Sequence, residues 1–159
     1  MGNRKKLSIC FLCTDNVGRS IVAEYCLRNY LTKNNIKEIN VSSAGTDAAS
    51  DTSSFSMAHV DEMKKMGINA SKHARIQMNQ NIVNNTDLII CMDSWHQTWL
   101  KEHYGIDAPL FNEIYNKESS SIRVSDPEQK TSLDNRMIEI THYINNAIPQ
   151  LVNNINKFR

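Results

Sequence analysis

The stretch Cys13-Thr14-Asp15-Asn16-Val17-Gly18-Arg19-Ser20 sets a thiol and a guanidinium on either side of five residues, with a hydroxyl directly after. These are parts for nucleophilic attack on an anionic centre: a sulfur that attacks, and a planar fork that grips two oxygens of a phosphate-like group. An apolar run over residues 7–12 leads in, and a helix-compatible run over residues 21–31 leads out, so the element reads strand, short loop, helix. Peptide units curling into a helix N-terminus can aim several N–H groups at one point, where the helix dipole adds positive potential. Such a point stabilises an anion, whether a thiolate or a bound phosphate.

The elements that must position this loop follow from the apolar pattern. Short runs rich in branched residues at 7–12, 40–44, 87–91 and 110–114 predict four strands. Each is followed by a segment able to cross back. This predicts an α/β single domain over residues 1–159, with a four-stranded, mostly parallel sheet flanked by helices on both faces and the phosphate-binding loop between first strand and first helix. Ligands in such sheets bind beyond the carboxyl ends of the strands, where strand order reverses. Met57, Val60, Met63 and Lys64 predict one face of a helix ending at Gly67, and Asp93-Ser94 predict the cap of a helix carrying Trp95, Trp99 and Leu100. A stripe at steps of three and four, Leu133, Met137, Ile140, Ile144, Ala147, Leu151 and Ile155, predicts a long final helix, kinked or broken near Ile148 by Pro149.

Charge is nearly balanced, 18 basic residues against 17 acidic, and no basic stripe interleaves with aromatics, so nucleic acid is not expected as a partner. No run approaches the length of a membrane span and the N-terminus lacks an apolar signal region, which points to a soluble, cytoplasmic monomer that needs no membrane. Four cysteines in such a setting are expected to be reduced thiols. Cys10 and Cys13 have the spacing of a zinc or redox pair, but Cys26 and Cys91 stand far apart with no histidine beside either; neither a metal site nor a cofactor is expected. The five histidines are scattered and read as structural or surface groups.

The Cys13-to-Ser20 loop, the segment Ser43-Ala44-Gly45-Thr46, the run from Asp87 to Asp93 and the pair Asp126-Pro127 together resemble the low-molecular-weight protein tyrosine phosphatases over nearly the whole chain. That fold also carries thioredoxin-coupled arsenate reductases and protein arginine phosphatases. The resemblance implies that Cys13 is the nucleophile and Arg19 the oxyanion clamp. Asp126 is then the general acid that protonates the leaving group, with Pro127 stiffening the backbone beside it. Thr14, Asp15, Asn16, Val17, Gly18 and Ser20 would bind the phosphoryl group, Asn16 tying the loop into shape and Ser20 donating to the thiolate. Ser43 would join the supporting network. The implied activity is hydrolysis of aryl phosphate monoesters through a phosphocysteine, on a phosphotyrosine-containing protein or a small aryl phosphate.

Four departures bear on that activity. Asp15 stands where the family has glycine, and a carboxylate on an anion loop repels its ligand by roughly 2 kcal/mol at about 8 Å and an effective dielectric of 20. Gly18 replaces the loop cysteine that protects the nucleophile of many relatives. Ala48 and Ala49 replace an expected aromatic wall, and Glu128 and Gln129 replace the aromatics that commonly follow the Asp-Pro pair. Val17 lacks the hydroxyl that goes with phosphoarginine, which favours an aryl phosphate. Arsenate reduction requires two further cysteines beyond the third strand, where only Cys91 is found. A weakly active phosphate-binding module is the reading from a different class.

Overall fold

The computed structural model describes residues 6–50, 55–124 and 132–158. Asp126, Pro127, Glu128 and Gln129 lie outside them. Among the described residues three parallel strands form the sheet: β1 (Leu7–Cys13), β2 (Ile39–Gly45) and β3 (Leu88–Cys91), in the order β2-β1-β3. The first strand is therefore central, and its C-terminal end is where strand order reverses. Residue for residue, Cys13 lies opposite Gly45 of β2, and Leu12 opposite Cys91 of β3.

Pleating sends alternate residues of β1 into two cores. Ile9, Phe11 and Cys13 face α1 (Arg19–Lys33), α2 (Ala58–Lys65), α5 (Phe111–Asn116) and α6 (Leu133–Asn154). Cys10 and Leu12 face α3 (Gln80–Asn84) and α4 (Ser94–Tyr104), through Val83 and Leu100. Val22, Leu27, Ile140 and Ile144 are fully or almost fully buried between α1, α6 and the sheet. Each such side chain stabilises the fold by about 1.5–3 kcal/mol. The helix-on-both-faces architecture is thus the expected one, and no helix among the described residues is long and apolar enough to cross a membrane.

The fourth strand does not form. Leu110 makes a single parallel bridge to Cys91, whose N–H donates to Pro109 O at 2.9 Å, and the chain then turns into α5. Glu113 accepts the Leu110 N–H at 2.9 Å, which starts a helix. Phe111 and Ile114, three apart, share one buried face, a helical spacing that the apolar content of the run disguised.

Further differences are local. Gly67 follows α2 with φ +81°, as its left-handed role requires. The buried face of that helix, however, is His59 with Met63, one turn apart, while Lys64 is exposed. Asp93 caps α4 through the Trp95 N–H, yet Trp95 itself stays exposed. The final helix continues through Pro149 to Asn154 without a break; the packed stripe from Met137 to Leu151 on the core holds the turn against one missing hydrogen bond. Leu133 leaves that core and lines the site cavity instead.

Candidate active site

In a trans peptide the carbonyl of one residue and the N–H of the next point in opposite directions. Around the loop between β1 and α1, five of the backbone carbonyls are held from outside. Cys13 O accepts from Thr46 N at 2.9 Å, Thr14 O from Asp47 N at 2.8 Å, and Gly18 O from Val22 N at 3.0 Å. Side chains hold the other two: Asp15 O accepts from Arg75 Nε at 2.9 Å and Val17 O from His59 Nε2 at 2.6 Å. The N–H groups of Thr14, Asp15, Asn16, Gly18 and Arg19 are consequently turned away from these anchors, into the concave side. Asn16 N–H reports that direction, donating to Cys13 Sγ at 3.3 Å. Amides directed this way can cradle an anion over the sulfur at the floor of the ring.

Asn16 makes the turn. Its φ is +57°, a left-handed conformation that asparagine tolerates better than most residues. Its buried carboxamide uses both donors and both lone pairs. Nδ2 donates to Ser20 Oγ and to Ser43 Oγ, each at 2.9 Å, while Oδ1 accepts from Ile76 N at 2.9 Å and His73 Nε2 at 3.0 Å. The Ser43 hydroxyl donates to Glu24 Oε1 at 2.5 Å, and Glu24 is buried. Ser20 Oγ, already accepting from Asn16, lies 2.9 Å from Cys13 Sγ, with its own proton left for the sulfur. Asn16, Ser20 and Ser43 thus meet in one network with Cys13.

Gly45 lets the loop sit against β2. A Cβ there would stand 2.7 Å from Thr14 O and 2.9 Å from Asn16 N, both backbone atoms. That close approach is the physical content of the Ser43-to-Thr46 segment. Gly18, by contrast, would meet only the flexible end of Met137 at 3.0 Å. All four cysteines are free thiols, and Cys10 and Cys91 belong to the opposite core of the sheet, where burial pushes both up to about 12.

Arg19 opens α1 and is held on two sides. Nη1 donates to Ile122 O at 2.8 Å, Nη2 to Thr14 Oγ1 at 3.4 Å, and Asp93 Oδ2 lies 3.8 Å from Nη1. Asp93 also pairs with Arg123 at 3.2 Å. Burial pulls the Asp93 carboxyl upward, but the Trp95 N–H and the charges of Arg123 and Arg19 outweigh it and leave it below the usual carboxylate range. His96 completes this side. Its Nδ1 accepts from Asp93 N at 3.0 Å, so Nε2 carries the proton and donates to Thr14 Oγ1 at 3.0 Å. Burial, and then Arg19, push its imidazole down to about 3.

Three of the five histidines therefore converge on the loop rather than on the surface or a distant core. His59 and His73 are also shifted down, first by burial. Both are neutral donors, His59 to a loop carbonyl and His73 to Asn16. Glu24, Arg75, His59 and His96 were not legible in the sequence as site residues. A hint existed for two of them: Glu24 lies one turn from Ser20 on the buried face of α1, and His59 one turn from Met63.

Asp15 is turned inward. Its Oδ1 accepts from Val17 N at 3.0 Å and lies 4.0 Å from Cys13 Sγ. A cavity of about 70 Å³ opens beside the cradle between Asp15, Val17 and Arg19 on one side and Phe55, Val124 and Leu133 on the other. The aromatic wall missing at Ala48 and Ala49 is thus supplied by Phe55, over whose ring the Arg75 guanidinium sits at 5.1 Å. The expected acid, Asp126, lies in the stretch outside the described residues. The chain ahead of it is tied to the site through Ile122 O on Arg19 and Arg123 O on Arg136 Nη2 at 2.8 Å.

Comparison with known proteins agrees with this geometry. The family model described as low molecular weight phosphotyrosine protein phosphatase matches residues 8–159. An arsenate reductase of Staphylococcus aureus is 32% identical over 112 residues, 65% of this chain and 79% of that protein. Among solved structures, a low molecular weight protein tyrosine phosphatase from T. tengcongensis superposes with TM-score 0.75 at 24% identity, covering 93% of this chain and 99% of that one. The YwlE arginine phosphatase from Geobacillus stearothermophilus gives TM-score 0.75 at 20% identity, covering 95% and 94%. The last two are likenesses of fold.

Proposed function

Because the chain belongs to the low molecular weight phosphotyrosine protein phosphatase family, we propose that it is a phosphatase cleaving aryl phosphate monoesters, phosphotyrosine in a protein or a small aryl phosphate, through a phosphocysteine. It acts as a single-domain monomer in the cytoplasm. Cys13 Sγ attacks phosphorus while the bond to the leaving oxygen breaks and Asp126 supplies that oxygen with a proton. Water then attacks phosphorus, Asp126 takes its proton, and the sulfur leaves as a thiolate that the Ser20 hydroxyl stabilises. Arg19 and the inward amides carry the charge of the equatorial oxygens in both steps.

The observation that carries this reading is the ring of outward-held carbonyls around a single sulfur. The aryl preference is supported by Val17 and Phe55, which offer apolar surface to a ring; one aromatic contact is worth about 0.5–1.5 kcal/mol. Val124, two residues ahead of Asp126, lines the same cavity. Relayed arsenate reduction is disfavoured by the placement of Cys10 and Cys91 on the other face of the sheet and by the burial of Cys26. The deciding experiment compares para-nitrophenyl phosphate, a phosphotyrosine peptide, a phosphoarginine peptide and arsenate with thioredoxin. Turnover of the first two, abolished in Cys13→Ser and lowered about 10²–10⁴-fold in Asp126→Ala, is the expected result. Phosphate release that survives Cys13→Ser, or turnover of arsenate alone, sinks the proposal.

A further inference from the structure

We propose that Asp15 sets the oxyanion affinity of the cradle by occupying one of its seats with its own carboxylate. The inference rests on the reading of the loop as an oxyanion site and adds to it a resident competitor. Among the loop amides, the Val17 N–H is the one satisfied by a carboxylate, Asp15 Oδ1 at 3.0 Å. The same oxygen stands 4.0 Å from Cys13 Sγ. An anionic oxygen bonded to a loop amide at the edge of the cradle and 4.0 Å from the nucleophile takes the place that an oxygen of a bound phosphoryl group requires. Two anions do not share that place, so a ligand enters only as the carboxylate leaves.

The geometry also shows how it leaves. The Asp15 carbonyl is pinned by Arg75 Nε at 2.9 Å and its neighbour Thr14 O by Asp47 N at 2.8 Å, so the backbone stays where it is. The side chain is half-buried and lines the open cavity, and a change of rotamer carries it out without moving the ring. Displacement takes place as the ligand binds and is complete before phosphorus is attacked. Its penalty therefore weakens ground state and transition state alike and is read in KM and in oxyanion binding.

The test uses the full chain and inorganic orthophosphate as the probe. Binding is followed without turnover, by the protection orthophosphate gives Cys13 against the neutral alkylating agent iodoacetamide, in the wild type, Asp15→Gly, Asp15→Ala and Asp15→Asn. Removing a hydrogen-bonded carboxylate competitor is expected to tighten orthophosphate about 10–100-fold in Asp15→Gly and Asp15→Ala. Asparagine retains the seat without the charge and is expected to fall between. The KM for para-nitrophenyl phosphate falls by the same factor as the orthophosphate dissociation constant. Orthophosphate binding as tight in the wild type as in Asp15→Gly and Asp15→Ala overturns the seat proposal and leaves the oxyanion site standing. A gain confined to kcat overturns it likewise. Protection absent from every folded variant overturns the oxyanion site and this inference together.

Discussion

Replacing Asn16 by alanine removes the one side chain that joins the loop to α1, β2 and the His73–Ile76 segment at once. Two donors lose their acceptor, the Ile76 N–H and His73 Nε2. At about 1–1.5 kcal/mol each, the low end for a donor stranded in a partly buried place, that is about 2–3 kcal/mol. Ser20 and Ser43 lose an incoming hydrogen bond but keep their own acceptors, Cys13 and Glu24, so this loss is about 0.5 kcal/mol each. Alanine at φ +57° adds about 1 kcal/mol of backbone strain. The sum is about 4–5 kcal/mol, a large part of the roughly 5–15 kcal/mol that holds a domain together. At about 2–4 °C per kcal/mol for a chain of this size, the melting temperature falls by about 8–20 °C. Asn16→Gly loses the same bonds without the strain, and the difference between the two variants isolates the left-handed term. Reversible urea unfolding with a common m-value measures both. A loss below about 1 kcal/mol in Asn16→Ala refutes the network as drawn, and equal losses in the two variants refute the strain.

Gly45→Ala drives a Cβ to within 2.7–3.0 Å of three backbone atoms of the loop; about 1–3 kcal/mol of stability and most orthophosphate protection of Cys13 should be lost, whereas a variant that binds normally shows that β2 yields instead. His59→Leu strands the Val17 carbonyl and is expected to lower kcat/KM about tenfold, with partial rescue in His59→Gln, whose amide can still donate; identical kinetics in the two variants refute the donor role. Stability should fall on acidification. His96 is held near 3 in the folded chain, first by burial and then by Arg19, while an unfolded histidine titrates near 6.5, so below that pH the unfolded state binds the extra proton. The slope approaches 1.4 kcal/mol per pH unit, about 2 kcal/mol by pH 5 from His96 alone, with His59 and His73 acting in the same direction. Urea midpoints at pH 7.5 and pH 5 test this, and an unchanged midpoint contradicts the neutral, buried assignment.

Cys13, Arg19 and Ser20 could be read together because they are neighbours in the chain, and the strand and helix that flank them carry their own periodicity. Local geometry of that kind is written in consecutive residues, and so was the alternation that made the sheet parallel. The run at 110–114 was ambiguous for the same reason: a few apolar residues suit a strand or a buried turn of helix, and only Glu113 on the Leu110 amide decided it. What tertiary structure alone settled is who holds the loop open. His59, His73, Arg75 and His96 stand 42, 57, 60 and 82 residues from the loop atoms they bind, and Phe55 faces Val17 from another loop. A hydrogen bond between such residues depends on where folded elements come to rest, and it leaves no period or spacing along the chain to be read. The direction of the Asp15 carboxylate is of the same kind: its presence was visible from residue type, but whether it faced solvent or sulfur was decided by its bond to the Val17 amide in the folded loop.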